Sequence, residues 1–306
     1  MDASVVVCAR NRARLLDVAL QSLAAQTLDR GRFEVLVVDN ASTDSTPEVA
    51  ARWEAAAGFA CRHVIEERLG TNHARNRGVR EAKAPVVAFL DDDARAEPEW
   101  LDRLLAALRE ERASGVGGRI RLEWESPPPR WLTDAHLLAL LAEFERGDVR
   151  CRIERFPFLV GTNMAFTADV FERVGGFGQD FERRGPLSAR GMEDVEFCSR
   201  VARGGGTLVY EPGAVVHHFV PEHRARLSFL VRRSYADGRS MAHFQRLSGQ
   251  RESGSRSRRL FRNLVALPVR ALRGDWARSA LAIVYMARHI GYMREARGLR
   301  QLSGNP

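Results

Sequence analysis

Three consecutive aspartates, Asp91, Asp92 and Asp93, follow the apolar run Val86 to Leu90. Like charge stacked at the end of a buried strand opposes ionisation by repulsion and by desolvation unless a cation is held there. Carboxylate oxygens are hard ligands, so the group suits Mg2+ or Mn2+ with substrate phosphates completing the shell. A cap for the helix that starts near Pro98 would account for one aspartate, not three. A second acidic group, Glu193-Asp194, opens a helical pattern with Val195, Cys198 and Val201 on one side. Carboxylates at that position either complement the helix dipole or take a proton from a bound hydroxyl. The turn Asp39 to Asp44 is a third polar group, rich in hydrogen-bond acceptors.

The elements that must position these groups alternate. Ser4 to Val7, Val35 to Val38, His63 to Ile65 and Val86 to Leu90 have strand character. Between them lie a helical pattern through Leu16, Ala19, Leu20 and Leu23, a second helix from Pro47 and a third over Ala74 to Ala82. This order predicts an α/β fold with a mostly parallel central sheet and helices on both faces. Ligands of such sheets bind beyond the carboxyl ends of the strands. Ala9 to Arg12, Asp39 to Asp44 and Asp91 to Asp93 all follow strands, so they should converge on one crevice.

The first strand runs into Cys8-Ala9-Arg10-Asn11-Arg12, which holds no glycine, and no P-loop is present. Dinucleotide and P-loop fingerprints therefore fail. Gly115 to Gly118 and Gly204 to Gly206 are spaced as turns or helix C-termini. The phosphates of a bound nucleotide must be met by metal and arginine instead.

The strings S-V-V-V-C-A-R-N-R, V-V-D-N-A-S-T-D, R-N-R-G-V-R-E-A with F-L-D-D-D, and G-M-E-D-V-E-F-C-S-R-V occur in an order that resembles family 2 glycosyltransferases of the GT-A fold, bacterial type, over residues 4 to 240. The resemblance implies an inverting transferase that moves a sugar from a nucleotide diphosphate donor, with a divalent metal on the diphosphate. It implies that Asp39 contacts the base, and a carboxylate can accept the N3 proton of uracil or thymine, which favours UDP or dTDP. It puts the metal-binding acidic motif on Asp91 and Asp93, with Asp93 as the direct ligand and Asp91 and Asp92 on ribose or metal-bound water. Ala9, Asn11, Arg12, Ser42, Arg75 and Arg77 would meet the diphosphate or line the donor pocket. Gly161 and Asn163 would close it, and His218 is either a further metal ligand or a hydrogen-bonded structural group. The catalytic base falls on Asp194, with Glu193 orienting the acceptor.

Composition bounds the rest. Cysteines 8, 61, 151 and 198 have no paired spacing, which suggests neither a disulfide framework nor a zinc site and fits a reducing cytoplasm. No signal peptide is visible and no apolar run reaches the length of a membrane span. The expected location is cytoplasmic, with peripheral contact at the inner face of the membrane. From residue 222 to 306 there are 18 arginines against five acidic residues, so the basic excess belongs to the tail. The expected division is a catalytic domain over residues 1–221 and a basic helical extension over 222–306. Within the extension, Leu227 to Leu247, Ser257 to Leu272 and Trp276 to Leu299 have helical patterns, and Ser248 to Ser257 suits a linker. Such helices meet an acidic membrane surface, pack on the catalytic domain or join a second subunit in a homodimer. The acceptor is a hydroxyl-bearing saccharide, lipid-linked glycan or small molecule. Two other functions compete: a nucleic-acid binder, disfavoured because the arginines lack interleaved aromatics, and a sugar nucleotidyltransferase, disfavoured by the missing glycine-rich loop.

Overall fold

The computed structural model describes residues 1–154, 158–178, 192–249 and 275–302. Helix over Ser257 to Leu272, most of the linker Ser248 to Ser257, and Gly191 lie outside these residues. The chain divides into two compact units, the first drawn from Met1–Glu123, Glu193–Phe219 and the stretch beginning at Ala142, the second from Trp124–Leu141 and the stretch beginning at Val220.

The first unit is a strand-and-helix alternation: β1 (Ala3–Ala9), α1 (Ala13–Ala24), β2 (Phe33–Asp39), α2 (Thr46–Ala56), β3 (Ala60–Ile65), α3 (Thr71–Glu81), β4 (Val86–Leu90), β5 (Ala94–Ala96) and α4 (Trp100–Glu110). β6 (Gly115–Trp124) leaves α4, and after α5 (Ala135–Ala139, in the second unit) come β7 (Cys151–Arg152), β8 (Asn163–Thr167), α6 (Ala168–Val174), α7 (Glu193–Arg203) and β9 (Leu208–Val220). The strand order is β3-β2-β1-β4-β8-β6-β9-β5, with β7 against β9. Pairing is parallel among β1, β2, β3 and β4. It is antiparallel where β8 meets β4 and β6, and where β9 meets β5 and β7. The parallel half is the half that carries the alternation visible in the sequence.

Alternation along each strand sorts side chains to two faces. Val5, Val7, Val35 and Val37 join Leu16, Leu20 and Leu23 of α1 and Trp100 and Leu104 of α4 in one core. Val6, Leu36 and Val38 join Ala74 of α3 and an aromatic group on the other face. In that group Phe166 meets Phe197 edge-on at 4.9 Å and Phe171 stacks on Phe197 at 5.1 Å. Burial on both faces explains why β2 is buried at all seven positions, as parallel strands covered by helices are.

Gly115 to Gly118 form the start of β6 rather than a turn or helix end. The reason is close backbone approach: a Cβ at Gly118 would lie 1.9 Å from the carbonyl oxygen of Ala214 in β9. Gly204 to Gly206 do end a helix: Gly204 N donates to Arg200 O, and Gly205 has φ of 80°.

In the second unit α8 (Leu227–Ser248) and α9 (Trp276–Leu302) pack together. Ser234 donates to Val284 O at 2.9 Å. A Cβ at Gly238 would sit 1.9 Å from Arg288 O, and one at Gly291 2.0 Å from Tyr235 O, so the two helices touch along their backbones. Among the described residues no helix is long and apolar enough to cross a membrane.

Candidate active site

The carboxyl ends of β1 and β2 are knitted by short polar contacts. Asn40 N donates to Ala9 O at 2.9 Å, Asn11 N to the Ser42 hydroxyl at 3.1 Å, and Thr43 N to Asn11 Oδ1 at 2.7 Å. Arg12 N reaches Thr46 Oγ1 at 2.9 Å. Asn11 and Ala41 both sit at φ of 53°. That left-handed conformation suits Asn and strains Ala, and strained backbone collects at functional sites. Asp39, the last residue of β2, is buried; its Oδ1 accepts from Ser42 N at 3.1 Å and its Oδ2 lies 3.9 Å from His63 Nε2. Ala9, Asn11, Arg12, Asp39 and Ser42 therefore form one neighbourhood.

The end of β4 supplies the three aspartates. Asp93 has Arg12 Nη1 at 3.6 Å from Oδ2 and His218 Nε2 at 3.3 Å from Oδ1. β5 and β9 hold this geometry: Ala94 pairs with His218, and Phe219 N donates to Asp93 O at 2.8 Å. Burial, and then the Asp93 charge, push the Asp92 carboxyl well above its ordinary pKa, with Arg12 opposing. Asp91 turns elsewhere, accepting from Thr162 Oγ1 at 2.6 Å and lying 3.4 Å from Arg75 Nη2.

Arg75, on α3, links that aspartate to the second acidic pair. It is buried, its Nη1 lies 3.5 Å from Glu193 Oε1, and its guanidinium is 5.6 Å from the Phe177 ring centre. Gly161 makes room for it: a Cβ there would be 2.2 Å from Arg75 Nη2. Gly161 N also donates to Asp194 Oδ2 at 3.2 Å, and Val195 N donates to Oδ1 at 2.8 Å. Burial, with the neighbouring Glu193 charge, raises the Asp194 carboxyl to about 6, against the opposing pull of Arg75. A carboxylate so tuned is ionised at neutral pH and still basic enough to accept a hydroxyl proton.

Asn163 does not join this group. It is fully buried in β8, accepting from Trp100 Nε1 at 2.8 Å and donating to Arg119 O at 3.0 Å and Ala214 O at 2.8 Å. Thr162 and His63 are also close to the site, though in the sequence Thr162 only flanks Gly161 and His63 only opens a strand; Asn40 lies in the polar turn Asp39 to Asp44, which gives its amide no role of its own.

Among the described residues no three His, Cys, Asp or Glu side chains converge as a self-sufficient metal cluster. The donor set fits a divalent cation that is partly held by substrate: Asp93 and His218 face each other, and the like charge at Asp92 and Asp93 is what a cation would relieve. One or two carboxylates plus phosphate oxygens is a usual shell for Mg2+.

Residues 4–175 match the sequence profile described as glycosyl transferase family 2. The chain is 30% identical over 237 residues to the succinoglycan biosynthesis protein ExoM of Rhizobium meliloti, covering 76% of this chain and 72% of that one. It is 28% identical over 244 residues to a glucosyl-dolichyl phosphate glucuronosyltransferase of Haloferax volcanii, covering 78% and 76%. A mannosyltransferase from Pyrobaculum calidifontis, solved with GDP-Man and Mn2+, superimposes with a TM-score of 0.58 at 22% identity, covering 99% of this chain and 76% of that one. That likeness extends to the fold, GT-A, with its central α/β sheet.

Proposed function

The chain belongs to glycosyl transferase family 2 and is a glycosyltransferase; from that premise we propose that it uses a nucleotide-sugar donor and performs a metal-dependent, inverting transfer from a UDP- or dTDP-sugar to an acceptor hydroxyl. The observation that carries the reading is the run of contacts within one unit that leads from Arg12, bonded to Thr46 and beside Asp93, through Asp91 to the buried Arg75 and on to Glu193, next to Asp194.

In this reading Asp39 accepts the N3 proton of the base, while Ala9, Asn11, Arg12 and Ser42 line the nucleoside and diphosphate. Asp93 and His218 would hold Mg2+ or Mn2+, with Asp91 and Asp92 near the ribose or metal-bound water. The ion, when bound, supplies charge neutralisation on the departing diphosphate. Arg75 keeps Asp91 and Glu193 in place from a buried position. Asp194 takes the proton of the acceptor hydroxyl as that oxygen attacks the anomeric carbon, and Glu193 orients the acceptor. Gly161 bounds the same wall, whereas Asn163 supports it through the sheet. Residues 1–221 would form the catalytic domain and 222–306 the basic extension, in a cytoplasmic enzyme working on saccharide, lipid-linked or small hydroxyl acceptors.

The test is incubation of the full chain with UDP- and dTDP-sugars and Mn2+ in the presence of candidate acceptors, following nucleotide release and the anomeric configuration of the product by NMR. Transfer with inversion is expected; a product that retains the donor configuration would exclude the single displacement.

A further inference from the structure

The turn after β2 holds a side chain for which the donor-site reading has no role. Asn40 is 5% exposed, and all three of its amide contacts reach one loop. Its Nδ2 donates to Glu66 O at 2.9 Å and to Arg68 O at 2.7 Å, and its Oδ1 accepts from Gly70 N at 2.8 Å. These partners lie 26 to 30 residues further along the chain. An amide is the group the geometry requires, since it offers two donors to two carbonyls and one acceptor to an N–H. A carboxylate would set one negative oxygen against both carbonyls, leaving only the bond from Gly70 N.

The far end of the clamp matters most. Gly70 has φ of 136°, a backbone region that favours glycine, and it is the residue from which α3 starts. α3 carries Arg75, whose guanidinium sits between Asp91 and Glu193. Asn40 thus anchors the start of the Arg75 helix to the strand whose last residue is Asp39, the group assigned to the nucleobase.

We propose that Asn40 is a positioning residue for the donor site: by clamping residues 66–70 it fixes Asp39 relative to the helix whose Arg75 holds Asp91 in place. The proposal rests on the donor-site reading above. A buried amide that served stability alone would lower folding free energy and leave binding by the folded protein unchanged.

The experiment is titration of UDP and dTDP, with Mn2+, into the full-length parent, Asn40→Ala, Asn40→Asp and Gly70→Ala, each corrected for its folded fraction by circular dichroism. Gly70→Ala strikes the same clamp from its other end and supplies a reading if an Asn40 variant fails to fold. The Kd of the tighter nucleotide should rise about tenfold or more in the variants, and the donor KM with it. kcat at saturating donor should stay within about threefold of the parent, the split expected when ground-state placement rather than chemistry is lost. Backbone amides of residues 66–70 should exchange faster in both Asn40 variants. Faster exchange with a Kd within about twofold of the parent would overturn the proposal, because the loop would then be loosened without cost to binding. If the parent binds neither nucleotide, the donor-site reading itself fails and takes this proposal with it.

Discussion

Asp194 carries two opposite dependences on pH, and together they separate chemistry from packing. Its folded carboxyl is raised to about 6 by burial and Glu193, from an ordinary value of 3.8. The protonated form is therefore favoured by folding, so its contribution to stability is fully present below about pH 4 and is lost as pH rises through about 6. Turnover needs the ionised form, so kcat/KM should climb through that same window as pH rises. A pH–rate profile flat between pH 5 and 7 would remove Asp194 as the base. Asp194→Asn should lower kcat by roughly 10²-fold or more while leaving donor Kd little changed. At Asp93 the expectation differs: Asp93→Ala should abolish the dependence of nucleotide binding on Mn2+, because the carboxylate facing His218 is gone. Binding by Asp93→Ala that still strengthens with Mn2+ would contradict that assignment. The placement of these acids was legible in the sequence, because they crowd where a strand ends and a helix begins. Thr162 and Asn40 were not, since a lone hydroxyl or amide in a turn has the same composition whether it faces water or holds a distant loop.

At the scale of elements, the parallel half of the sheet could be read directly: strands β1 to β4 announce themselves by apolar runs, and the helices between them by three- and four-residue spacing. The antiparallel half was hidden. β6 begins with Gly115-Val116-Gly117-Gly118, a composition that suits a turn, and only the approach of β9 explains why side chains are missing there. Gly118→Ala should therefore cost about 2 kcal/mol or more, or prevent folding, since its Cβ would meet backbone at Ala214 and neither strand can give way freely. Gly205, by contrast, has a positive φ and open space around it; Gly205→Asn should cost less than about 1 kcal/mol, because Asn tolerates that backbone. Thermal denaturation of the two variants checks the contrast, and equal losses would mean that the β6–β9 contact is looser than its geometry.

Over the whole molecule, we propose that the arginine excess of residues 222–306 meets an acidic surface such as anionic lipid. The full chain should sediment with phosphatidylserine vesicles, ignore neutral ones, and release when salt reaches about 0.5 M. Equal recovery with neutral vesicles would point to apolar insertion instead. The central claim, that one crevice holds a nucleotide diphosphate through a cation, is tested most directly by a thermal-shift titration of the full chain with UDP, dTDP and NAD, each with and without Mn2+. Binding to the native state raises Tm with ligand concentration. UDP or dTDP should raise it, much more strongly with Mn2+ than without, and NAD should not; a shift of equal size without the metal, or none with either nucleotide, would contradict the account.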